Sequence, residues 1–158
     1  MKKFLPFTLL ISLLFSTASF AQEETVDPEE AIQAIIQEVF DGMRQGDSSM
    51  ISQHLMPGVI MHSVSVAPTG FTKVHTESNP QAWLEAVAKP KEQVYDERVS
   101  NLQINVTDGI ATAWMDYSFY LGENFSHCGV NSFQFVKMMG KWKIIYIIDT
   151  RKRSDCRD

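Results

Sequence analysis

Residues 127–153 read HCGVNSFQFVKMMGKWKIIYIIDTRKR. Two runs rich in β-branched and aromatic residues, Val130 to Met138 and Trp142 to Thr150, flank Met139-Gly140, which is the pattern of a long antiparallel hairpin. A two-residue turn sets Phe133 opposite Tyr146, Phe135 opposite Ile144 and Asn131 opposite Ile148. One face is then apolar and aromatic, carrying Phe133, Phe135, Trp142, Ile144, Tyr146 and Ile148. The other, with Ser132, Gln134, Val136, Met138, Ile145, Ile147 and Asp149, is mixed but still too apolar to be fully solvated.

Upstream, Val94 to Val106, an Asp108-Gly109 turn, Ile110 to Leu121 and a loop at Gly122-Glu123-Asn124 extend this region into a continuous run of strands. The N-terminal half is different. Asp27-Pro28-Glu29-Glu30 offers an N-cap, a proline at the first helical position and the acidic partner of a capping box. Ile32, Ile35, Ile36, Val39, Phe40 and Met43 follow as one apolar stripe at helical spacing. Gly46 ends this helix, and Asp47 or Ser48 caps a short second one reaching about Leu55. Met56-Pro57-Gly58 breaks it before a strand from Val59 to Val66. Pro68-Thr69-Gly70 is a turn, Phe71 to Thr76 a second strand, and Asn79-Pro80 opens a third helix through Trp83, Leu84 and Val87 that closes before Pro90. Helices first and long antiparallel strands last is the order of an α+β domain.

The chain opens MKKFLPFTLLISLLFSTASFAQ, with Lys2 and Lys3, an apolar run and Ser19-Phe20-Ala21 as a cleavage site, so residues 1–21 read as a secretory signal peptide. The apolar run is too short to span a bilayer comfortably, and no later run is long enough. Removal of the signal leaves 137 residues: a short segment at 22–27, one domain over 28–151 and a tail at 152–158. An exported protein, periplasmic or extracellular, is expected. With Lys2 and Lys3 gone, 12 basic residues stand against 19 acidic ones, a net charge of −7 that favours neither nucleic acid nor an anionic membrane. The basic cluster Arg151-Lys152-Arg153 with Arg157 is interrupted by Asp155 and ended by Asp158, so it reads as a solvated tail. Cys128 and Cys156, an even count in an oxidising compartment, point to a disulfide, with two unpaired thiols as the alternative. His54, His62, His75 and His127 show no metal-ligand spacing, and neither a metal nor a cofactor is expected.

This order of elements resembles the nuclear transport factor 2-like superfamily, which includes ketosteroid isomerases and SnoaL-like polyketide cyclases, over Pro28 to Arg151. The closing segment H-C-G-x3-F-x-F, His127 to Phe135, with G-x-W-K-I-x4-D-T-R, Gly140 to Arg151, is most similar to exported bacterial members carrying a lumazine-binding label. The resemblance implies a cone-shaped, cystatin-like roll: a curved antiparallel sheet around the first helix, a pocket between them, and commonly a homodimer through the sheet's outer face. It implies no particular reaction, because this fold hosts enzymes and binders alike.

Carrying the register across the loop at 122–125 places Asp116 opposite Asn131 and Trp114 opposite Phe133. Trp114, Asp116, Asn131, Phe133 and Tyr146 would then share a face, with a few polar groups converging on an aromatic wall as in a small-molecule pocket. Their mutual satisfaction inside a closed core is the alternative. The Asp108-Gly109 turn conflicts with this face, because it puts Leu102, Ile104 and Val106 with Ala111 and Ala113 on the opposite side. Either a bulge flips parity or the inner face is misassigned in part.

Isomerase chemistry of the ketosteroid type needs a carboxylate base near the first strand, and no acid occurs between Asp47 and Glu77. Asp116 and His62 remain as candidate catalytic groups for a lyase or isomerase, alone or as a His-Asp dyad in which His127 and Asp149 could also serve. His127, Asp149 and Arg151 otherwise form a charge-paired tether at the sheet end. Binding of a small molecule is therefore favoured over catalysis.

Overall fold

The computed structural model describes residues 26–67, 69–77 and 79–156. The expected signal segment, nearly all of 22–27, Pro68 of the expected turn, and Arg157 and Asp158 lie outside the described residues.

Helix α1 (Pro28–Gln45) begins as its sequence demands. Asp27 Oδ1 accepts hydrogen bonds from the N–H groups of Glu29 (2.8 Å) and Glu30 (3.3 Å), and Pro28 takes the first turn, where its missing N–H costs nothing. Gly46, at φ 72°, adopts the left-handed conformation that ends the helix. The Ile32 to Met43 stripe is buried along its whole length. Helix α2 (Ser48–Ser52) is capped by Asp47, which accepts from Ser49 N–H.

The second helix stops short of the expected Leu55. Strand β1 (Leu55–Val66) instead begins there and absorbs Met56-Pro57-Gly58. Proline is tolerated because the pairing is irregular between Leu55 and Ile60, so the ladder does not need its N–H. After β2 (Thr72–Glu77), Asn79 Oδ1 accepts from Gln81 N–H to start α3 (Gln81–Ala88). Strands β3 (Tyr95–Thr107), β4 (Ile110–Leu121), β5 (Asn124–Met138) and β6 (Lys141–Arg151) complete the chain.

The six strands form one curved, unclosed sheet in the order β2-β1-β6-β5-β4-β3. Its concave face packs on α1 through Ala111, Ala113, Met115, Phe133, Phe135, Trp142, Ile144 and Ile147. Each large apolar side chain fully buried there contributes roughly 1.5–3 kcal/mol. Arg44 in the last turn of α1 donates to Asp96 (2.9 Å), pinning the helix to β3. The expected α+β roll around the first helix is thus observed, with one amendment. β1 and β6 pair parallel. No hairpin joins those two strands, so nothing forces them antiparallel.

Three register shifts correct the expected faces. Beside the Met139-Gly140 turn the hairpin pairs as the sequence suggests, with Phe135 opposite Ile144. Beyond it Ile145 is an extra residue, so Phe133 pairs with Ile147 and Asn131 with Asp149. One inserted residue exchanges faces: Ile147 and Asp149 turn to the concave side, and Tyr146 and Ile148 to the convex one. Gly122-Glu123 is a tighter turn than the expected loop. With a shift between Phe119 and Tyr120, it pairs Ala113 with Phe133 and Met115 with Asn131. Trp114 and Asp116 consequently point to the convex face. The third shift lies between Ser100 and Gln103, where Asn101 has φ 52°, and it flips the parity of β3. The parity conflict noted in the sequence has both suspected causes: a bulge in β3 and a misassigned face in β4.

Cys128 and Cys156 form the expected disulfide, with Cα atoms 5.8 Å apart. It holds the segment after β6 against β5, where Lys152 and Cys128 also exchange backbone hydrogen bonds of 2.9 Å.

Candidate functional site

Between α1, α3 and the concave face lies a cavity of about 680 Å³, within the range of small-molecule sites. Its wall is apolar on the helix side, from Val39, Phe40 and Met43 of α1 and Trp83 of α3, and Phe133 continues it on the sheet. Phe40 and Phe133 rings meet at 6.2 Å. The sheet side adds polar groups from all six strands.

At its centre is Glu97 of β3. Asn131 Nδ2 donates to Glu97 Oε1 at 2.7 Å. Glu97 keeps some accessible surface because it faces the cavity, but it lies away from bulk water. Removal from bulk water, with the charge of Asp149 adding to it, pushes the carboxyl from its ordinary 4.5 up to about 7. The Asn131 hydrogen bond and Arg151 pull the other way without cancelling it. Glu97 is therefore poised to exchange a proton near neutrality.

Asp149 is saturated by comparison. It accepts from Ser63 Oγ of β1, from Tyr117 Oη (3.3 Å) and from Arg151 Nε (2.7 Å). The Tyr117 hydroxyl lies 2.9 Å from Thr150 O, and burial together with Asp149 raises its pKa. His127 has Nδ1 3.0 Å from Ser126 Oγ. Burial and the adjacent Arg151 lower its pKa, which favours the neutral ring. Phe119 stands opposite Glu97 in the ladder, and its ring meets Tyr95 at 5.7 Å and His127 at 5.0 Å. His127 in turn meets Tyr117 at 5.8 Å. These four rings and Glu97 line the same cavity.

A missing side chain makes this arrangement possible. A Cβ on Gly129 would lie 1.8 Å from Thr150 O and 2.9 Å from the Tyr117 ring, so only glycine lets β6 and Tyr117 close over this point.

Of the residues singled out from sequence, Asn131 and Phe133 line the cavity, whereas Trp114, Asp116 and Tyr146 do not. Trp114 is about half exposed on the convex face. Asp116 is buried on that same side and accepts from Asn101 Nδ2 at 2.9 Å. Tyr146 Oη lies 2.8 Å from His62 Nδ1. His62 borders the cavity, but its ring is committed to Tyr146 rather than to Asp149 or Asp116. Of the expected His127, Asp149 and Arg151 tether, Arg151 and Asp149 pair at 2.7 Å while His127 turns to Ser126, and all three line the cavity.

Glu97, Ser63 and Tyr117 were missed. Counting alternation back from Leu102, Ile104 and Val106 assigns Glu97 outward, and only the bulge at Asn101 turns it in. The one signal in the sequence is the residue type at 101, since asparagine is among the few non-glycine residues that tolerate the left-handed conformation a bulge can require.

Solved structures with the same architecture define the class. The chain is similar to a nuclear transport factor 2-like protein of unknown function from Shewanella baltica (15% identity, TM-score 0.59, 80% of this chain and 94% of that one). It is also similar to a protein of unknown function with a cystatin-like fold from Nostoc punctiforme (13% identity, TM-score 0.62, 82% and 95%). A third is described as "a putative dehydratase" of the same fold from Streptomyces avermitilis (14% identity, TM-score 0.60, 79% and 96%). At these identities the likeness establishes the fold alone: nuclear transport factor 2-like, cystatin-like. Among curated proteins none matches. The family model described as "Putative lumazine-binding" matches residues 27–147, and the chain belongs to that family.

Proposed function

We propose that this protein binds a small, largely apolar or aromatic molecule in the cavity between α1 and the sheet. The observation that carries the reading is a set of convergent polar groups, the buried Asn131, Tyr117 and Asp149 with Glu97 and Arg151, gathered in a chamber whose helix side is apolar. Apolar walls supply affinity and the few polar groups fix orientation. The family's description makes lumazine the first probe to try. Titration followed by lumazine fluorescence should saturate, and Phe133→Ala and Asn131→Ala should each weaken binding severalfold or more. Molecules carried through purification from the native host offer a second route, identified by mass spectrometry of the denatured protein. Unchanged affinity in both variants for whatever binds would refute the cavity as the site.

Export is part of the same proposal. The leader-like N-terminus and the Cys128–Cys156 disulfide support it, since disulfides persist in oxidising compartments. So is a homodimer through the convex face, where Ile60, Ile110 and Trp114 are each about half exposed. Trp114→Glu should convert a dimer to a monomer in light scattering. A wild-type monomer at tens of micromolar would rule the dimer out.

A further inference from the structure

Among the charged groups of the cavity, Glu97 stands out by what it lacks. Asp149 has its cation, Arg151, at 2.7 Å, and two hydroxyl donors besides. Glu97 has one neutral donor, Asn131, on Oε1. Among the described residues Oε2 has no hydrogen-bond partner, and it is open to the cavity. Tyr95, Phe119, His127 and Tyr117 line the same cavity, with Phe119 directly across the ladder from Glu97; one face of Tyr95 is taken by Lys91 Nζ at 4.3 Å, which leaves Phe119, Tyr117 and His127 for a ligand. Aromatic faces attract cations through the ring quadrupole, most strongly out of water. Arg151 makes its ion pair with Asp149, at 2.7 Å, and none with Glu97 among the described residues, so it acts on that carboxyl only at longer range.

We propose that the ligand is an organic monocation with an apolar or aromatic body, its positive nitrogen seated against Glu97 between these rings and its body against Phe40, Phe133 and Trp83. This rests on the cavity being the binding site. Charge balance supports it. With Glu97 neutral, Asp149 and Arg151 cancel; with Glu97 ionised, the end of the cavity carries one uncompensated negative charge, which a monocation neutralises and an anion aggravates.

Binding is then an exchange of cation for proton. Glu97 releases its proton to solvent as the ligand nitrogen takes its place, and the net charge of the site is unchanged. The titratable groups facing Glu97 are Tyr117 from β4, His127 from β5, and Asp149 and Arg151 from β6. His62 of β1 also borders the cavity, its Nδ1 2.8 Å from Tyr146 Oη; Lys73, His75 and Glu77 stand at the β2 rim, and α1 and α3 present only Val39, Phe40, Met43 and Trp83. Burial and Arg151 bias His127 toward its neutral form, which works against its supplying a competing proton. With Glu97 titrating at about 7 in the empty site, the competent carboxylate is about a tenth populated at pH 6 and about nine-tenths at pH 8. Cation affinity should rise about tenfold between them.

Calorimetry on the full-length oxidised protein with three probes of one shape tests this: phenethylamine (cation), 2-phenylethanol (neutral) and phenylacetate (anion), at pH 6 and pH 8 in buffers of different ionisation enthalpy. Phenethylamine should bind most tightly, about tenfold better at pH 8, with close to one proton released at pH 6. Glu97→Gln should collapse the ratio of phenethylamine to phenylethanol affinity and abolish the pH dependence. Preference for the neutral or anionic probe, or a cation affinity indifferent to pH or to Glu97→Gln, would overturn the cation proposal while leaving a binding cavity in place. No binding of any probe at millimolar concentration would overturn both.

Discussion

Replacing Glu97 by glutamine should stabilise the protein, and by an amount that depends on pH. The carboxyl titrates near 4.5 when solvated and at about 7 in the folded cavity. Below pH 4.5 both states hold the proton and Glu97 contributes nothing to the pH dependence. Between about 4.5 and 7 the native state keeps a proton that the unfolded chain has released, so stability falls as pH rises. Above 7 both states are ionised and the full cost is present. At about 1.4 kcal/mol per pH unit, the gap amounts to roughly 3 kcal/mol, less to the extent that water in the cavity solvates the charge. E97Q keeps the shape and the acceptor for Asn131 Nδ2 but cannot ionise. Its stability relative to wild type should therefore climb from near zero at pH 4.5 to roughly 2–3 kcal/mol at pH 8. Urea unfolding followed by tryptophan fluorescence at four pH values measures this. His127 acts with the opposite sign, its lowered pKa costing stability as pH falls below 6.5. The wild-type profile alone thus mixes the two, and the difference between variant and wild type isolates Glu97. A constant offset at all pH values, or a variant less stable than wild type at pH 8, would refute the picture of a desolvated carboxyl.

Ile36, 1% exposed on α1, becomes an unpaired buried charge in Ile36→Asp, which should cost about 3–5 kcal/mol by thermal or urea unfolding. Intact-mass measurement should find Cys128 and Cys156 two hydrogens short and unalkylated without reductant. Replacing both by serine should cost up to about 3–4 kcal/mol for a loop spanning 28 residues. Gly129→Ala, which drives a methyl into Thr150 O and the Tyr117 ring, should destabilise by several kcal/mol. It should also broaden the His127 resonances in NMR, because Tyr117 must move.

The helices and most strand boundaries were legible because their signals are local: Asp27-Pro28 and Gly46 define α1 without reference to the rest of the chain. The hairpin turn at Met139-Gly140 was legible for the same reason, and so was the pairing nearest to it. Register decays with distance from a turn. A bulge at Ile145 has no local signature, because Ile144 to Ile148 is an unbroken run of good strand formers, and one inserted residue sends Tyr146 out and Asp149 in. The expected site thus kept Asn131 and Phe133, on the hairpin strand without the insertion. It lost Trp114, Asp116 and Tyr146, each lying beyond a register shift. Glu97 escaped notice for the mirror reason, since the shift at Asn101 brings an apparently solvent-facing acid inside.

The position of β6 sets the order in which this domain can be assembled. It is the last strand in the chain, yet it lies between β1 and β5 and is what joins the β2-β1 pair to the β5-β4-β3 meander. A ribosome completes α1 and β1 more than 70 residues before it completes β6. Until then β1 has only β2 beside it, and α1 has only part of the surface it will cover. Such widely separated pairings close slowly. A chain that stops before Lys141 carries two half-sheets with raw edges, open to pairing with other chains.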